Sequence, residues 1–194
     1  MKGILFKPNM IKAVVDLRKT VTRRVIKDCV IQYGDGTIKT TSKPRYQVGD
    51  VVYIKEAWAP VAHFIGTNSA RVEYKFDGQQ LDKTCDYDKY IKWFKGGHLD
   101  SEWKSPLFMP AWAARYFIEI TGVRAEKLNT ITDEDVKAEG TPDVLNNTWP
   151  TIADYHPQQA YCHLWNTINK DHPWETNPWV WRYEFKLVAQ PEGI

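Results

Sequence analysis

The strongest constraint on the fold is an alternation of large apolar and charged side chains near the end of the sequence. Residues 179–187 read Trp-Val-Trp-Arg-Tyr-Glu-Phe-Lys-Leu, with a large apolar residue at every odd position and a charge at three of the even positions. Successive side chains of a β-strand point to opposite faces of its sheet. The pattern therefore predicts a strand with one buried face.

Other segments predict a chain in which strands dominate and helices are short. Strands are expected at residues 3–6, 51–56, 71–76 and 116–123, and a hairpin at residues 29–44. Helices are expected at residues 10–17, at 133–138, and from Pro157, where an apolar stripe is formed by Ala160, Tyr161, Leu164, Trp165 and Ile168. Asn9 and Thr132 are suitable caps for the first two. The sequence predicts an α+β fold, in which a mixed, mostly antiparallel sheet closes toward a small β-barrel with short flanking helices.

Length and composition limit the organisation of the chain and its partners. The length of 194 residues favours a single domain over residues 1–194. We interpret about residues 60–105 as an insertion in this domain. The net charge of +2 argues against tight, nonspecific binding of long nucleic acids but is compatible with a short ligand. The three cysteines, far apart and without a CxxC motif, argue against a disulfide scaffold or structural zinc.

The sequence also carries expectations about location. No apolar run approaches the length of a membrane span, and the first residues lack the apolar core of a signal peptide. We expect a cytoplasmic protein without a membrane partner. Its 26 aromatic residues favour a core of bulky rings, and some of them are candidates for stacking on a nucleobase.

Three features are candidates for chemistry. The basic run at residues 18–24 suits phosphate or carbonyl binding, although such runs are commonly solvated strand edges. Glu56 ends an apolar strand just before Trp58, where it is either a carboxylate at a barrel rim or an ordinary exposed strand end. Glu139 ends a short helix, where the helix dipole disfavours a carboxylate; this mild misfit hints at a role other than structure.

Metal and cofactor motifs are absent from the sequence. His156, His163 and His172 are seven and nine residues apart, so they form no i, i+4 pair of zinc ligands. No GxGxxG, P-loop or GxSxG element occurs. We expect no metal and no cofactor.

Several elements, taken in order, resemble the ASCH-domain family of PUA-like proteins. The resemblance rests on residues 3–6 (GILF), 17–24 (LRKTVTRR), 48–51 (VGDV), 56–58 (EAW) and 183–185 (YEF). These are similar to the family's GRKTxTxR element, its GD turn and its closing EF strand. Residues 109–115 and 177–181 resemble a longer branch that is common in phages and prophages. The resemblance omits roughly residues 25–45 and 60–104, and Leu17 stands where many relatives have glycine.

The resemblance implies a PUA-like barrel with a cleft associated with RNA or nucleotides. Its best-defined enzymes are amidohydrolases that remove the acetyl group from N4-acetylcytidine, and their active Lys, Thr and Glu match Lys19, Thr22 and Glu139. In the implied reaction Thr22 attacks the acyl carbon, Lys19 takes its proton, and Glu139 orients Lys19 or shuttles the proton. Burial or the nearby Arg23 and Arg24 would lower the pKa of Lys19, and Arg23 or backbone N–H groups would stabilise the oxyanion. Because residues i and i+3 face opposite sides of a flat strand, Lys19 and Thr22 converge only if the chain turns or bulges.

Three functions stay open at this level. The first is an amidohydrolase acting on an acylated pyrimidine nucleoside. The second is a non-catalytic PUA-like module that binds RNA or a modified nucleotide, and the third is a ribonuclease. Candidate substrate-binding residues are Arg18, Arg23, Arg24, Glu56, Trp58 and Arg115. We expect a monomer whose partner is a nucleoside, a nucleotide or RNA.

Overall fold

The computed structural model describes residues 1–27, 30–64, 67–93, 102–141 and 157–193. In these ranges the strands are β1 (Gly3–Leu5), β2 (Val21–Val25), β3 (Val30–Gln32), β4 (Ile38–Thr40), β5 (Val51–Lys55), β6 (Trp58–Phe64), β7 (Ser69–Tyr74), β8 (Gln80–Thr84), β9 (Phe117–Lys127) and β10 (Trp179–Val188). The helices are α1 (Pro8–Val15), α2 (Tyr87–Ile91), α3 (Asp133–Ala138) and α4 (Pro157–Ile168). The chain divides into two compact units, a first unit of Met1–Pro8, Val51–Ile118 and Val188–Ile194, and a second unit of Asn9–Asp50 and Glu119–Leu187.

The first unit contains a parallel strand pair and an antiparallel meander. β1 runs parallel to β5, with Gly3 opposite Tyr53. A Cβ atom at Gly3 would lie 2.6 Å from Lys55 Cε and 2.7 Å from Tyr53 Cζ, so a larger residue there would have to displace the ends of these two side chains. β6, β7 and β8 follow one another as antiparallel neighbours.

Aromatic side chains form the core of the first unit. Trp58 and Tyr74 are fully buried, and they lie opposite each other on β6 and β7. The Trp58 ring packs edge-on against Trp93 and Trp112, with centroids 5.0 and 5.7 Å apart. The Tyr74 hydroxyl donates to the carbonyl of Ala113 at 2.8 Å, which satisfies its polar end inside the core.

The second unit is built around β10. This strand pairs with β9 on one side and runs antiparallel to β2 on the other, with Tyr183 opposite Thr22 and Arg182 opposite Arg23. β3 and β4 form a separate antiparallel hairpin. The apolar faces of the two longer helices are buried, at Met10, Ile11, Ala13 and Val14 in α1 and at Ala160, Tyr161, Leu164 and Trp165 in α4.

The prediction of a mixed α+β fold rich in antiparallel pairs is confirmed, whereas the closed barrel stays a prediction. Two details of the patterning are wrong. The alternation predicts that Arg182 lies on an exposed face of β10, but it is buried, with Asp135 and Glu184 as its ion-pair partners. Ile168, at the last turn of α4, is 39% exposed rather than part of the buried stripe.

Residues 60–105 supply most of β6, β7 and β8, together with α2. The organisation as a single domain with an insertion stays a prediction, because compact units of this kind also occur within one domain. Cys29 and His156 lie outside the described residues. Among the helices of the described ranges, none is both long and apolar enough to cross a membrane.

Candidate functional site

A sharp reversal after α1 carries Lys19 into the interior of the second unit. The backbone N–H of Lys19 donates to the carbonyl of Ala13 at 2.9 Å, and Leu17 adopts a left-handed conformation with a φ of 59°. The N–H of Thr20 then donates to the carbonyl of Ala138 at 2.8 Å. This bond ties the start of β2 to the end of α3, so Lys19 lies in the turn and not in the strand.

Lys19 and Glu139 form a buried ion pair. The Lys19 amine donates to Glu139 Oε2 at 2.7 Å, and to the backbone carbonyls of Glu139 and Val21 at 2.8 Å each. The two side chains are 0% and 5% exposed. Burial lowers the pKa of Lys19, and the charge of Glu139 and its hydrogen bond act in the opposite direction.

Glu139 takes its position from the end of α3. Thr132 caps the start of this helix by accepting the N–H of Asp135, and Gly140, with a φ of 72°, ends it. Two further donors reach Glu139 Oε1: Arg23 Nη1 at 3.2 Å and the Tyr161 hydroxyl at 3.3 Å. These donors and Lys19 compensate for the unfavourable position of a carboxylate at a helix C-terminus.

Arg23 is the centre of a second group of ion pairs. Its Nε donates to Glu126 at 2.8 Å and its Nη2 to Asp135 at 2.6 Å. Arg182, directly opposite on β10, donates to the other oxygen of Asp135 at 2.8 Å. Like charges directly opposite each other destabilise a sheet, so Asp135 has a clear structural role between the two arginines. Burial opposes ionisation of Asp135, but the hydrogen bond from Arg182 and the charge of Arg23 outweigh it and lower the pKa.

Thr22 lies on the face of β2 opposite to Arg23, because adjacent side chains of a strand alternate. It is buried at 4% exposure. Within the described residues no hydrogen bond joins its hydroxyl to Lys19 or Glu139. The turn at Lys19 brings the amine as far as the carbonyl of Val21, the residue before Thr22. Of the three predicted catalytic residues, Lys19 and Glu139 are in contact, and Thr22 is close to Lys19 along the chain but makes no hydrogen bond to either of them in the described residues.

Arg24 shares the face of Thr22. Tyr183 lies opposite Thr22 on this face, and Tyr46 packs edge-on against Tyr183 with centroids 5.3 Å apart. Burial lowers the pKa of Arg24, and Glu139, followed by Tyr46, acts in the opposite direction. Arg24 therefore lies within electrostatic reach of the Lys19–Glu139 pair.

Arg18 occupies a more exposed position than its neighbours in the basic run. Its guanidinium donates to Asp16 at 2.8 Å, and its side chain is 39% exposed. The basic run thus divides into an exposed Arg18, a buried Lys19 and Arg23, and an Arg24 on the face of Thr22.

Glu56 and Arg115, two of the predicted binding residues, form an ion pair in the first unit. Arg115 donates to both carboxylate oxygens of Glu56, at 2.8 and 2.7 Å, and also to Asp77 at 2.8 Å. Its guanidinium lies 4.2 Å from the ring centroid of Tyr74. Burial raises the pKa of Glu56, and the Arg115 hydrogen bond opposes this shift. Trp58 is fully buried, so in this conformation it offers no ring face to a ligand.

A groove of about 390 Å³ opens on the second unit. Its lining residues are Thr20, Val21, Thr121, Glu134, Asp135, Ala138, Arg182, Glu184 and Phe185. The volume is within the range of small-molecule sites. Thr20, Val21 and Ala138 adjoin Lys19, Thr22 and Glu139 in sequence. In the described ranges, the groove included, no three His, Cys, Asp or Glu side chains are grouped so as to hold a metal ion.

Four residues of these networks are not predicted as site residues from the sequence, namely Tyr161, Glu126, Asp135 and Arg182. Tyr161 was assigned only to the apolar stripe of α4, yet its hydroxyl reaches Glu139. Asp135 lies in the first turn of the helix expected at residues 133–138, where an acidic side chain is favourable and gives no sign of a distant partner. A signal was available in both cases, because a buried tyrosine needs a partner for its hydroxyl and a strand with two arginines needs carboxylates nearby.

No protein-family model matches the sequence, and no curated protein matches it significantly. Among solved structures, the chain is similar to the crystal structure of protein EF3133 from Enterococcus faecalis V583, which is described by the family model DUF984. The TM-score is 0.44 at 12% sequence identity, and the match covers 100% of this chain and 85% of that one.

Proposed function

We propose that the second unit carries an amidohydrolase site of the ASCH type, in a PUA-like barrel, which removes the acyl group from an acylated pyrimidine nucleoside such as N4-acetylcytidine. The observation that carries this proposal is the buried Lys19–Glu139 ion pair, whose amine also reaches the carbonyl of Val21, the residue before Thr22. A buried ion pair contributes little to stability compared with well-packed apolar residues. Its presence, with a lowered pKa at Lys19, is typical of a site for proton transfer.

In the first half of the reaction the amide bond breaks. A proton moves from Lys19 to Glu139 across their 2.7 Å contact, which leaves a neutral amine. As the Thr22 oxygen forms a bond to the acyl carbon, Lys19 takes the hydroxyl proton and the carbonyl electrons move to oxygen. When this tetrahedral intermediate collapses, the carbon–nitrogen bond breaks and Lys19 returns the proton to the leaving amine.

In the second half water releases the acyl group. Lys19 takes a proton from water, whose oxygen attacks the ester carbon on Thr22. Collapse of this second intermediate breaks the ester, and the Thr22 oxygen regains a proton from Lys19. The products are the free nucleoside and the carboxylic acid. Glu139 then returns its proton to Lys19, which restores the starting ion pair. The reaction requires the amine to leave the Val21 carbonyl for the Thr22 hydroxyl, an adjustment of the kind that accompanies substrate binding.

The experiment is hydrolysis of N4-acetylcytidine by the purified protein, with chromatography of the nucleoside product. Lys19→Met, Thr22→Val and Glu139→Gln should each lower turnover by about 100-fold or more. The matched control is Lys12→Met, because Lys12 is an exposed lysine on α1 whose amine pairs with Asp16 in the part of the chain that the structure describes. A folded wild-type protein without turnover, or an active Thr22→Val variant, would overturn the proposal.

A second candidate is a non-catalytic module that binds a nucleoside or nucleotide. The observation in its favour is that the three N–H groups of Lys19 already have acceptors, while the Thr22 hydroxyl contacts neither Lys19 nor Glu139 in the described residues. This candidate predicts that calorimetry detects N4-acetylcytidine or cytidine binding to the wild-type protein without release of acid. Binding with turnover would exclude it.

A further inference from the structure

Lys83 of the first unit occupies a position of β8 where the alternation of the strand calls for an apolar side chain. Its neighbours two positions away on the same face are Leu81 and Cys85, and both pack in the aromatic core of this unit. The residue directly opposite on β7 is Ala70, which is fully buried. Lys83 itself is only 9% exposed. The protein therefore encloses most of this lysine side chain.

The amine of Lys83 lacks the ionised partner that the other buried charges have. Its Nζ donates to Gln190 Oε1 at 3.2 Å, which is an uncharged acceptor. Within the described ranges no carboxylate forms an ion pair with it. The other charged residues that are buried in those ranges all form ion pairs, namely Lys19, Arg23, Glu56, Glu139 and Arg182. Because an unpaired buried ammonium is costly, the position favours the neutral amine.

The charged groups that act on Lys83 are Arg115 and Glu56, which belong to the same unit. Burial lowers the pKa of Lys83, the positive charge of Arg115 lowers it further, and the negative charge of Glu56 opposes this with a smaller effect. Arg115 is held in its ionised form by Glu56 and Asp77, with contacts of 2.7 and 2.8 Å. The surroundings of Lys83 thus disfavour a cation and favour an anion at the same place.

We propose that Lys83 is a modification site at which the neutral amine reversibly takes up carbon dioxide to form a carbamate. The nitrogen lone pair forms a bond to the carbon of CO2, one C=O electron pair moves to oxygen, and the nitrogen releases a proton to the buffer. CO2 is small and uncharged, so it reaches an enclosed amine that bulkier electrophiles do not. The carbamate supplies the negative charge that the position lacks.

Gln190 suits both forms of the lysine. Its amide carries an acceptor for the ammonium and N–H donors for a carbamate oxygen, and rotation of the amide exchanges the two. The modification lies in the first unit and does not depend on the hydrolysis of an acylated nucleoside, so either activity stands if the other fails.

The test is chemical trapping of the carbamate in the purified protein, equilibrated with carbon-13-labelled bicarbonate at neutral pH. Triethyloxonium ions convert a carbamate into a stable ethyl carbamate, and mass spectrometry of the peptides then locates the label. Among the lysine side chains, Lys83 should carry most of the label. An exposed lysine keeps its proton at neutral pH, and the amine of Lys19 is held by Glu139.

A control that needs no variant is the same trapping in guanidinium chloride. Unfolding removes the burial, so the label at Lys83 should fall to the level of the other lysines. A second measurement is thermal unfolding, in which bicarbonate should raise the melting temperature of the wild type relative to a CO2-free chloride buffer of equal pH and ionic strength. Lys83→Arg keeps a positive charge without this amine, and its melting temperature should not respond.

Three results would overturn the assignment of Lys83. The first is label at the α-amine of the chain with none at Lys83. The second is label spread evenly over the lysines of the folded protein. The third is equal labelling of Lys83 in the folded and the unfolded protein, because the reactivity would then owe nothing to the enclosed position.

Discussion

Replacing Glu139 by glutamine should destabilise the protein strongly, because it leaves the charge of Lys19 buried without its carboxylate. Both side chains are nearly inaccessible, at 0% and 5% exposure, and their contact is 2.7 Å. Removing one partner of such a pair costs about 3–5 kcal/mol. The carbonyl acceptors of Lys19 and the remaining amide oxygen of glutamine place the expected loss near the lower end of this range, at roughly 3 kcal/mol.

Urea unfolding at pH 7, followed by tryptophan fluorescence, measures this loss for Glu139→Gln, Lys19→Met and the double variant. Lys19→Met should cost less than Glu139→Gln, because Glu139 keeps Arg23 and Tyr161 as donors. The double variant should cost less than the sum of the single variants by about 1–3 kcal/mol, the coupling expected for residues in contact. Additive effects, or a loss below about 1 kcal/mol in Glu139→Gln, would refute the reasoning.

The same variant has a predictable pH dependence. The pKa of Lys19 is already lowered in the folded wild type by burial, and it should fall further without Glu139, whereas the unfolded chain titrates near its ordinary value of about 10.4. Between these two pKa values the unfolded state binds more protons, so the free energy of unfolding of Glu139→Gln should rise with pH relative to that of the wild type. A constant difference from pH 7 to 10 would contradict this assignment.

Three further predictions concern backbone geometry and acid stability. Leu17→Gly should stabilise the protein by roughly 0.5–1 kcal/mol in urea unfolding. The left-handed φ of 59° strains leucine in the folded state, and relief of this strain outweighs the extra entropy that glycine gives to the unfolded chain. Leu17→Ala should show no gain, because alanine is strained at this φ as well. Gly140→Ala should lower the melting temperature more than Gly78→Ala, since both have a positive φ but only the first Cβ meets a neighbour, Lys19 Cβ at 3.1 Å; equal losses would refute the steric argument. Asp135→Asn should lose less stability than the wild type as the pH falls below about 4. The folded pKa of Asp135 is lowered, so the stability that its ionised carboxylate contributes to the wild type is lost on protonation, and asparagine has no such contribution to lose. Parallel pH profiles of thermal unfolding would exclude this contribution.

Local signals in the sequence predicted the elements that hold the site but not the side-chain networks inside it. Thr132 and Gly140 bound the helix that ends at Glu139, and both follow from capping chemistry that acts within a few residues. The sequence alone does not predict whether the chain turns at Lys19, because a leucine at position 17 gives no sign of a left-handed conformation. The resemblance supplied Lys19 and Glu139 as a pair, and the structure shows their contact.

Burial of charged residues is hard to predict from the sequence, because a charge can be buried wherever a partner from a distant segment neutralises it. The alternation in β10 assigned Arg182 to an exposed face, but Asp135, 47 residues away, makes its burial possible. Arg23, in the basic run, is likewise buried, and its carboxylate partners lie more than 100 residues further along the chain. Its role in binding a substrate stays a prediction. Period and propensity cannot anticipate pairings over such separations.

The first unit joins chain segments that are far apart in sequence, and this has a consequence for biosynthesis. Val188 packs against the aromatic core formed largely by residues 53–117. Val188 is synthesised only after residues 119–187, which belong to the second unit. During that part of translation the apolar core of the first unit stays partly exposed. Neither unit is a contiguous stretch of chain, so simple truncation cannot isolate either of them. Co-translational chaperone binding should therefore concentrate on nascent chains that end between residues 119 and 187.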